Sequence, residues 1–379
     1  MMSNHQDDID IVFLTQFFPP AVGGAPTRNW SLFTALRGLG LKCVVITSAP
    51  LNRTAELPHH GIRNYVFFTV YCGFKFFYVS LTKRYSTLFL TVPPPTTSIF
   101  IILAKALRKR IIVDIQDLWP EILVEVGYVK RGSFLYVTLG FLERVVFRNA
   151  DRIITVSSDL AQKIRFMTPK PIYVVESQAD PAEFNEDETT SQLRLNLGLT
   201  GRKILLYIGT VGRVQRFESI ILAMPAVLES HQDAMLIVVG SGDQIDSLLG
   251  LTNTLGIGEH VRFLPPVPHA DVPRYMSMAD VCLLPLDTTE IEALPTKFFE
   301  YLASGRPVLA TSSIAVSRIL HESGAGIFVQ DPRNTDEMAR AIVGLLSDDG
   351  ARQLMGKRAR EYARQRYDLP AKLSEALRL

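Results

Sequence analysis

The chain alternates short apolar runs, glycine-bearing turns and segments whose apolar residues recur at helical intervals. "IVFLT" (11–15) is continuously apolar and is followed by a Gly- and Pro-rich loop. "TRNWSLFTALRGLG" (27–40) then spaces its apolar residues as a helix does and ends in glycine. "KCVVIT" (42–47) reads as the next strand. Such a βαβ unit predicts a parallel sheet with helices on both faces. The runs "TLFLTV", "RIIVDI", "RIITVS" and "IYVVES" complete one doubly wound domain by about residue 175. The polar, acidic stretch "SQADPAEFNEDETTSQLRLNLGLTGRK" reads as a linker and an entry helix. After it the alternation restarts with "KILLYIG", "MLIVVG", "VRFLP", "VCLLP", "PVLAT" and "GIFV". The pattern therefore predicts an α/β protein of two Rossmann-like domains, 1–180 and 181–360. A charged helical segment, 361–379, is expected to return to the first domain.

Two longer apolar stretches test this picture. The uncharged run from Tyr85 to Ala104 is broken by "PPP" at 93–95, so it reads as strand, turn and helix start rather than a membrane span. "NYVFFTVYCGFKFFYVSLTKRY", from Asn64, carries a central Lys and reads as a strand followed by an amphipathic helix; the sharper alternative is a patch resting on a membrane surface. The N-terminus, "MMSNHQDDID", is polar and acidic, unlike a signal peptide. Three cysteines in apolar runs, without C-x-x-C spacing, fit a reducing, cytoplasmic setting. A net charge of +2 gives no global field pointing to nucleic acid.

Chemistry concentrates at "EALPTKFFEYLASGRPV", from Glu292. Pro295 suits the first helical position, but Leu294 stands where a capping Ser, Thr, Asp or Asn is expected. The first N–H groups of that helix, near Thr296 and Lys297, then lack a local acceptor, and a helix N-terminus attracts phosphate. Glu292 and Glu300 are spaced E-x(7)-E. A carboxylate in the second turn suits the vicinal hydroxyls of a ribose, and one in the loop suits sugar hydroxyls. The plain alternative is a solvated helix with a Lys297–Glu300 pair. Glycine loops follow three strands: "PPAVGGAPTR", "GTVGRVQRFE" and "GSGDQ", the last containing Gly240. In open α/β sheets such loops let backbone approach a ligand. The second strand ends in "ITSAP" without the acid a dinucleotide fold uses for its ribose, which argues against a NAD-linked dehydrogenase.

With these residues on the page, the chain resembles the retaining glycosyltransferases of family four, of GT-B fold, and among them bacterial surface-polysaccharide transferases. The resemblance runs through "FFPPAVGGAPTR", "TVPPP", "VDIQDLWPEILVEVG", "FLERVVFRNADRIITVSSDL", "YIGTVGRVQRFESI", "VVGSGDQ", "VRFLPPVPHADVPRYMSMADVCLLPL" and the Glu292 segment. It implies two parallel sheets facing across a cleft and a sugar nucleotide carried mainly by the second domain. Glu300 would hold the ribose, Gly209 and Gly212 the diphosphate with Thr296 and Lys297, and the turn at Pro266 and Val267 the base. Gly23 and Gly24 would approach the phosphate or the acceptor, and Arg28 would point toward the acceptor. Asp117 would face the reacting sugar, with Glu292 and Lys297 completing the catalytic set. The family's usual Arg and Lys are replaced by Thr210 and Gln215, leaving Arg213, Arg216 or Lys297 to supply charge. A His common in the family is Gln116 here, and the hinge leaves only Asp180.

The implied reaction moves a sugar from a nucleoside diphosphate (UDP or GDP) to a hydroxyl of a glycan or polyprenyl-diphosphate-linked acceptor, with retention. No cofactor or metal is expected; the one D-x-D, Asp8–Ile9–Asp10, precedes its strand and reads as a solvated terminus. "YVKRGSFLYVTLGFLERVVFR" has the composition of a membrane-surface segment, and core packing explains it equally well. The alternatives are a nucleotide-sugar epimerase of the same fold, a dehydrogenase, and a non-catalytic binding protein.

Overall fold

The computed structural model describes residues 8–19, 21, 23–47, 62–92, 97–125, 129–184, 188–212, 215–286, 294–311 and 313–378. The chain divides into two compact units. One is Met1–Ala21, Ala25–Glu176 and Asp368–Leu379; the other is Val22–Gly24 and Ser177–Tyr367.

The first unit begins β1 (Asp8–Leu14), α1 (Gly24–Gly38), β2 (Cys43–Ile46), α2 (Ile62–Thr82) and β3 (Arg84–Val92). It continues α3 (Ser98–Ala106), β4 (Arg110–Ile115), α4 (Glu121–Glu125), α5 (Phe134–Asn149), β5 (Arg152–Thr155), α6 (Ser158–Arg165) and β6 (Ile172–Val174). All six strands are parallel, in the order β2-β1-β3-β4-β5-β6. Every residue of β3 from Thr87 to Val92 is buried, as expected of a parallel strand covered on both faces. On one face Leu14, Leu88 and Val113 meet Phe68 and Phe76 of α2, Phe100 of α3 and Phe147 of α5. On the other, Phe13 of β1 stacks on Phe89 of β3, ring centroids 5.0 Å apart.

The stretch from Asn64 is a single helix, not a strand followed by a helix. Phe68, Cys72 and Phe76 are its buried positions, four residues apart. The helical spacing was masked by aromatic and β-branched residues on its other sides, which read as a strand.

Strand order reverses between β1 and β3, and a buried polar network fills the carboxyl ends there. Asn29 Nδ2 and Thr91 Oγ1 both donate to Thr15 Oγ1, at 2.8 and 2.7 Å. Arg28 forks onto Asp114, Nε to Oδ2 at 3.1 Å and Nη2 to Oδ1 at 2.6 Å, with both side chains buried. Gln116 Nε2 donates to Asp114 Oδ2 at 3.1 Å and to Asn29 Oδ1 at 3.2 Å. This ties α1 to β1, β3 and β4 through directed bonds.

The second unit runs α7 (Glu188–Asn196), β7 (Lys203–Ile208), α8 (Phe217–Ser230), β8 (Ala234–Val239), α9 (Ile245–Thr254), β9 (Val261–Leu264), α10 (Val272–Ser277) and β10 (Val281–Leu284). Then come α11 (Thr296–Ser304), β11 (Val308–Thr311), α12 (Ile314–Ser323), β12 (Gly326–Val329), α13 (Thr335–Ser347) and α14 (Asp349–Arg366). Its parallel sheet is ordered β12-β11-β10-β7-β8-β9, the Rossmann arrangement, with its switch point between β7 and β10. The last helix, α15 (Leu369–Leu377), belongs to the first unit. Its carbonyls accept from Arg110 Nη2 (Leu377 O, 2.7 Å) and Arg152 Nη1 (Ala376 O, 2.6 Å).

Replacing Asp114 by Ala leaves Arg28 charged, buried and without its fork. The expected loss is about 3–5 kcal/mol, read as a shift of the chemical denaturation of the first unit. An unchanged midpoint would show that the pair does not hold the unit together.

Candidate functional site

In open α/β sheets a ligand crevice forms outside the carboxyl ends of the switch-point strands. In the second unit, α8 leaves β7 and α11 follows β10, and at neither helix does the N-cap residue, Arg216 or Pro295, make a side-chain cap hydrogen bond. By contrast α12, α13 and α14 are capped by Ser313, Asn334 and Asp348. Pro295, at φ −62° and ψ 139°, is the N-cap of α11 rather than its first helical residue as expected, so the helix starts one residue later, at Thr296. Its ring has no acceptor to offer, so the first-turn N–H groups at Thr296 and Lys297 carry the partial positive charge of the helix end.

The loops after β7 and β8 lie backbone on backbone. Gly209 has φ +141° and Gly240 φ +154°, and a Cβ added to Gly240 would stand 1.9 Å from the Gly209 carbonyl oxygen. Only glycine fits both the dihedral and the approach. Val211 N donates to Ser241 O at 2.9 Å, and Gly240 N to Leu264 O at 3.0 Å, which aligns the loop after β9 with the other two.

Lys297 reaches back from α11 over this layer. A Cβ on Gly209 would lie 2.5 Å from its Nζ, so the missing side chain makes room for the ammonium. Nζ donates to Tyr207 Oη and sits 4.1 Å from the centre of that ring. Tyr207 is fully buried, and its hydroxyl donates to Thr210 O at 2.5 Å. Burial pulls the Lys297 ammonium down to about 7, against the charge of Glu300, which favours the protonated form. Its hydrogen bond goes to a neutral phenol rather than to Glu300, so the helix-surface ion pair is not what holds it.

Glu300 is buried in the second turn of α11, with His269 Nε2 3.1 Å from its Oε1. His269 follows β9 in a short 3-10 turn, His269–Asp271. Burial disfavours the His269 cation, but the Glu300 hydrogen bond and the charges of Glu300 and Glu183 outweigh it and raise the ring's pKa. The Tyr301 hydroxyl accepts from Ile208 N at 3.2 Å, pinning α11 to β7.

The structure thus gathers Gly209, Thr210, Gly240, Thr296, Lys297 and Glu300 at one end of the second sheet. Pro266 and Val267 are half-buried in the loop after β9. Gly212 and Gln215 close a turn on each other, Gly212 N donating to Gln215 Oε1 at 2.9 Å, so that N–H already has a partner. Glu292 and Arg213 lie outside the described residues. In the first unit, Asp117 is exposed beyond β4, on a loop anchored by Trp119 N to Glu143 Oε1 at 2.9 Å. Burial pushes the Glu143 carboxyl up to about 7. Arg28 lies on Asp114 inside that unit, Gly24 opens α1, and Gly23 takes φ +136°. Sequence reasoning missed Tyr207 and His269. Their positions, two residues before Gly209 and in the loop after the third strand, were the signals available. Among the described residues no three His, Cys, Asp or Glu side chains cluster as a metal site would.

Two six-stranded parallel sheets with these helices define the GT-B fold, and the solved structures resembling the chain are GT-B glycosyltransferases. Residues 191–362 match the family described as "Glycosyl transferases group 1". It is similar to spore coat protein SA of Bacillus subtilis, 29% identical over 255 residues, covering 63% of this chain and 67% of that one. It is also similar to the GDP-mannose-dependent alpha-(1-6)-phosphatidylinositol monomannoside mannosyltransferase of Mycobacterium tuberculosis, 29% identical over 207 residues, 52% of this chain and 54% of that one. The alignments with such curated relatives thus span about half to two thirds of their length. The fold of Anabaena HepE, solved with UDP and glucose, superposes with a TM-score of 0.69 at 17% identity, covering 98% of this chain and 99% of that one.

A Cβ at position 240 has nowhere to go. Gly240→Ala is expected to cost about 2–5 kcal/mol from strain and overpacking, seen as a lowered thermal midpoint. A wild-type midpoint would mean that the two glycine loops are not in backbone contact.

Proposed function

We propose that this protein is a nucleotide-sugar-dependent glycosyltransferase whose donor diphosphate is held at the end of the second sheet. The observation that carries the reading is Lys297: a cation drawn out of water onto a neutral phenol, beside two uncapped helix N-termini and the Gly209 backbone. That arrangement is short of negative charge, and a diphosphate supplies it. Glu300, with His269 fixing one oxygen, takes the ribose hydroxyls in the next turn. The base lies against Pro266 and Val267. Lys297 fills the place of the cations absent at Thr210 and Gln215.

In this reading, breaking the glycosyl–phosphate bond builds charge on the diphosphate, and the Lys297 ammonium with the first-turn N–H groups of α11 stabilises it. The leaving phosphate takes the acceptor proton, so the sugar is transferred with retention and without a protein nucleophile. Asp117 and Glu292 are assigned to the reacting sugar, and Gly23, Gly24 and Arg28 to the acceptor side, Arg28 by ordering α1 through Asp114. The donor is a UDP- or GDP-sugar, in keeping with relatives named for GDP-mannose or solved with UDP. The acceptor is a glycan or polyprenyl-diphosphate-linked saccharide in cell-surface polysaccharide synthesis, reached at the cytoplasmic face of a membrane. The charge is supplied by protein groups, and the chemistry proposed runs without a metal.

A thermal-shift panel of UDP-, GDP- and dTDP-sugars tests the donor site. A ligand at 100 times its Kd stabilises by roughly 2.7 kcal/mol, and Glu300→Ala is expected to abolish the shift. If no nucleotide sugar moves the midpoint, the reading fails. Radiolabelled donor with and without saccharide acceptor then separates transfer from epimerisation, which needs no acceptor.

The Lys297 pKa gives a second test. Bound diphosphate favours the protonated amine, so above about pH 7 binding takes up a proton and affinity falls as pH rises. A sugar nucleotide is the right probe because its diphosphate diester does not titrate near neutrality. Lys297→Met is expected to weaken binding about 10- to 100-fold at pH 7, from the ~1.5–3 kcal/mol of a charged hydrogen bond, and to flatten the pH dependence. Calorimetry in two buffers of different ionisation enthalpy reads the proton uptake directly. Uptake that persists in Lys297→Met would assign it to another group.

A further inference from the structure

The helices α2, α3 and α5 cover one face of the first sheet, and α2, α3 and the start of α5 carry apolar residues on their outward sides as well. Their inner residues form the core described above. Rings of α2 meet Phe100 of α3, Phe68 at 6.2 Å and Phe76 at 5.8 Å between centroids, so the two helices are neighbours in this layer. Phe147 of α5 joins the same core. On the outward side of α2, Phe74, Phe77 and Leu81 are 74%, 61% and 71% exposed. On α3, Ile102 and Leu103 are exposed, and at the start of α5 Phe134 is 89% exposed. Single exposed apolar residues are ordinary, but several large ones gathered on neighbouring helices are not.

Charge identifies what covers it. Between Glu56 and Asp114 the chain has no Asp or Glu and eight Lys or Arg, from Arg63 to Arg110. Between Glu125 and Glu143, around the start of α5, it has Lys130 and Arg131 and again no acid. Lys75 lies over the Tyr71 ring, Nζ 4.6 Å from its centre, in the middle of the outward aromatic row. A second copy of the chain would set these cations against their own kind. Apolar and aromatic side chains interspersed with an excess of cations, of which Lys105 pairs with Asp151 at 2.9 Å and Arg131 with Glu121 at 2.8 Å, match the interface of an anionic bilayer. No helix among the described residues is long and apolar enough to cross a membrane, so the fit is to lying on the surface.

We infer that the outward face of α2, α3 and the start of α5 is a docking surface for an anionic lipid membrane, with the aromatic and aliphatic side chains entering the interface and the flanking Lys and Arg meeting the headgroups. This stands apart from the sugar-nucleotide site, which uses the second unit.

The test is flotation of the full chain with vesicles of phosphatidylcholine alone and of phosphatidylcholine with phosphatidylglycerol. The expected result is binding to the anionic vesicles at low salt, weakened at least about tenfold by 0.5 M salt. Phe74→Glu/Phe77→Glu is expected to reduce binding by a similar factor. Both positions are exposed, so the thermal midpoint and any sugar-nucleotide shift stay at wild-type values, which separates loss of docking from loss of fold or donor site. No flotation with anionic vesicles at low salt overturns the inference. Undiminished flotation of the double variant also overturns it. A wild-type dimer in light scattering that falls apart in the double variant, while vesicles remain unbound, gives the face to a second copy instead.

Discussion

The ammonium of Lys297 is held by Tyr207, a group that cannot neutralise it, in a place where water cannot fully solvate it. Much of the second unit's local geometry follows from accommodating that cation. Gly209 suits its φ of +141°, and its missing Cβ, which would come within 2.5 Å of Nζ, leaves room for the ammonium. Tyr207 must be buried with its hydroxyl turned to Thr210 O, so that it can accept from Lys297 while donating onward. The α11 helix must start close to β7, and the Tyr301 hydroxyl on Ile208 N keeps it there. A protein that wanted only stability would replace this buried cation with an apolar side chain, since desolvating an unneutralised charge costs several kcal/mol. The donor site proposed above accounts for its presence at this end of the sheet.

The two units solve the switch-point problem differently. In the second, polar capacity at the carboxyl ends is left open: bare N–H groups, a desolvated amine and one carboxylate fixed by His269. In the first, the network around Thr15 and Asp114 consumes much of it internally. Thr15 accepts from both Asn29 and Thr91, Arg28 and Asp114 satisfy each other, and Gln116 closes the network. Saturated networks rigidify, whereas unsaturated ones bind. The first unit therefore presents a stiff frame around the exposed Asp117 loop, and the second presents the ligand-seeking chemistry.

What could be read beforehand follows the same division between local and distant causes. Parallel strands buried on both faces are continuous apolar runs, so the strand runs named in the sequence all reappear, and the glycine loops fell where strands end. That α11 starts without a capping side chain was legible because capping is decided by neighbours in the chain, although the cap falls on Pro295 and not on Leu294. The Arg28–Asp114 fork was not, because its partners are 86 residues apart and nothing near either one calls for the other. The Lys297–Tyr207 bond spans 90 residues and was hidden for the same reason. The α2 helix was misread as part strand because its outward side is as apolar as its inward side, which erases the amphipathic period that identifies a helix.

That erased period is informative in itself. A helix keeps a polar outer side because water demands it, and a chain that abandons this on neighbouring helices has exchanged water for something else. The near-neutral net charge conceals how this is done: cations without acids from Arg63 to Arg110, with the balancing carboxylates elsewhere in the chain. A global sum near zero rules out a strong field acting on a distant polyanion, yet leaves a local one, effective within a Debye length of about 8–10 Å. A field of that reach acts on a surface already in contact. It suits an anionic interface entered by aromatic side chains better than a nucleic acid gathered from solution.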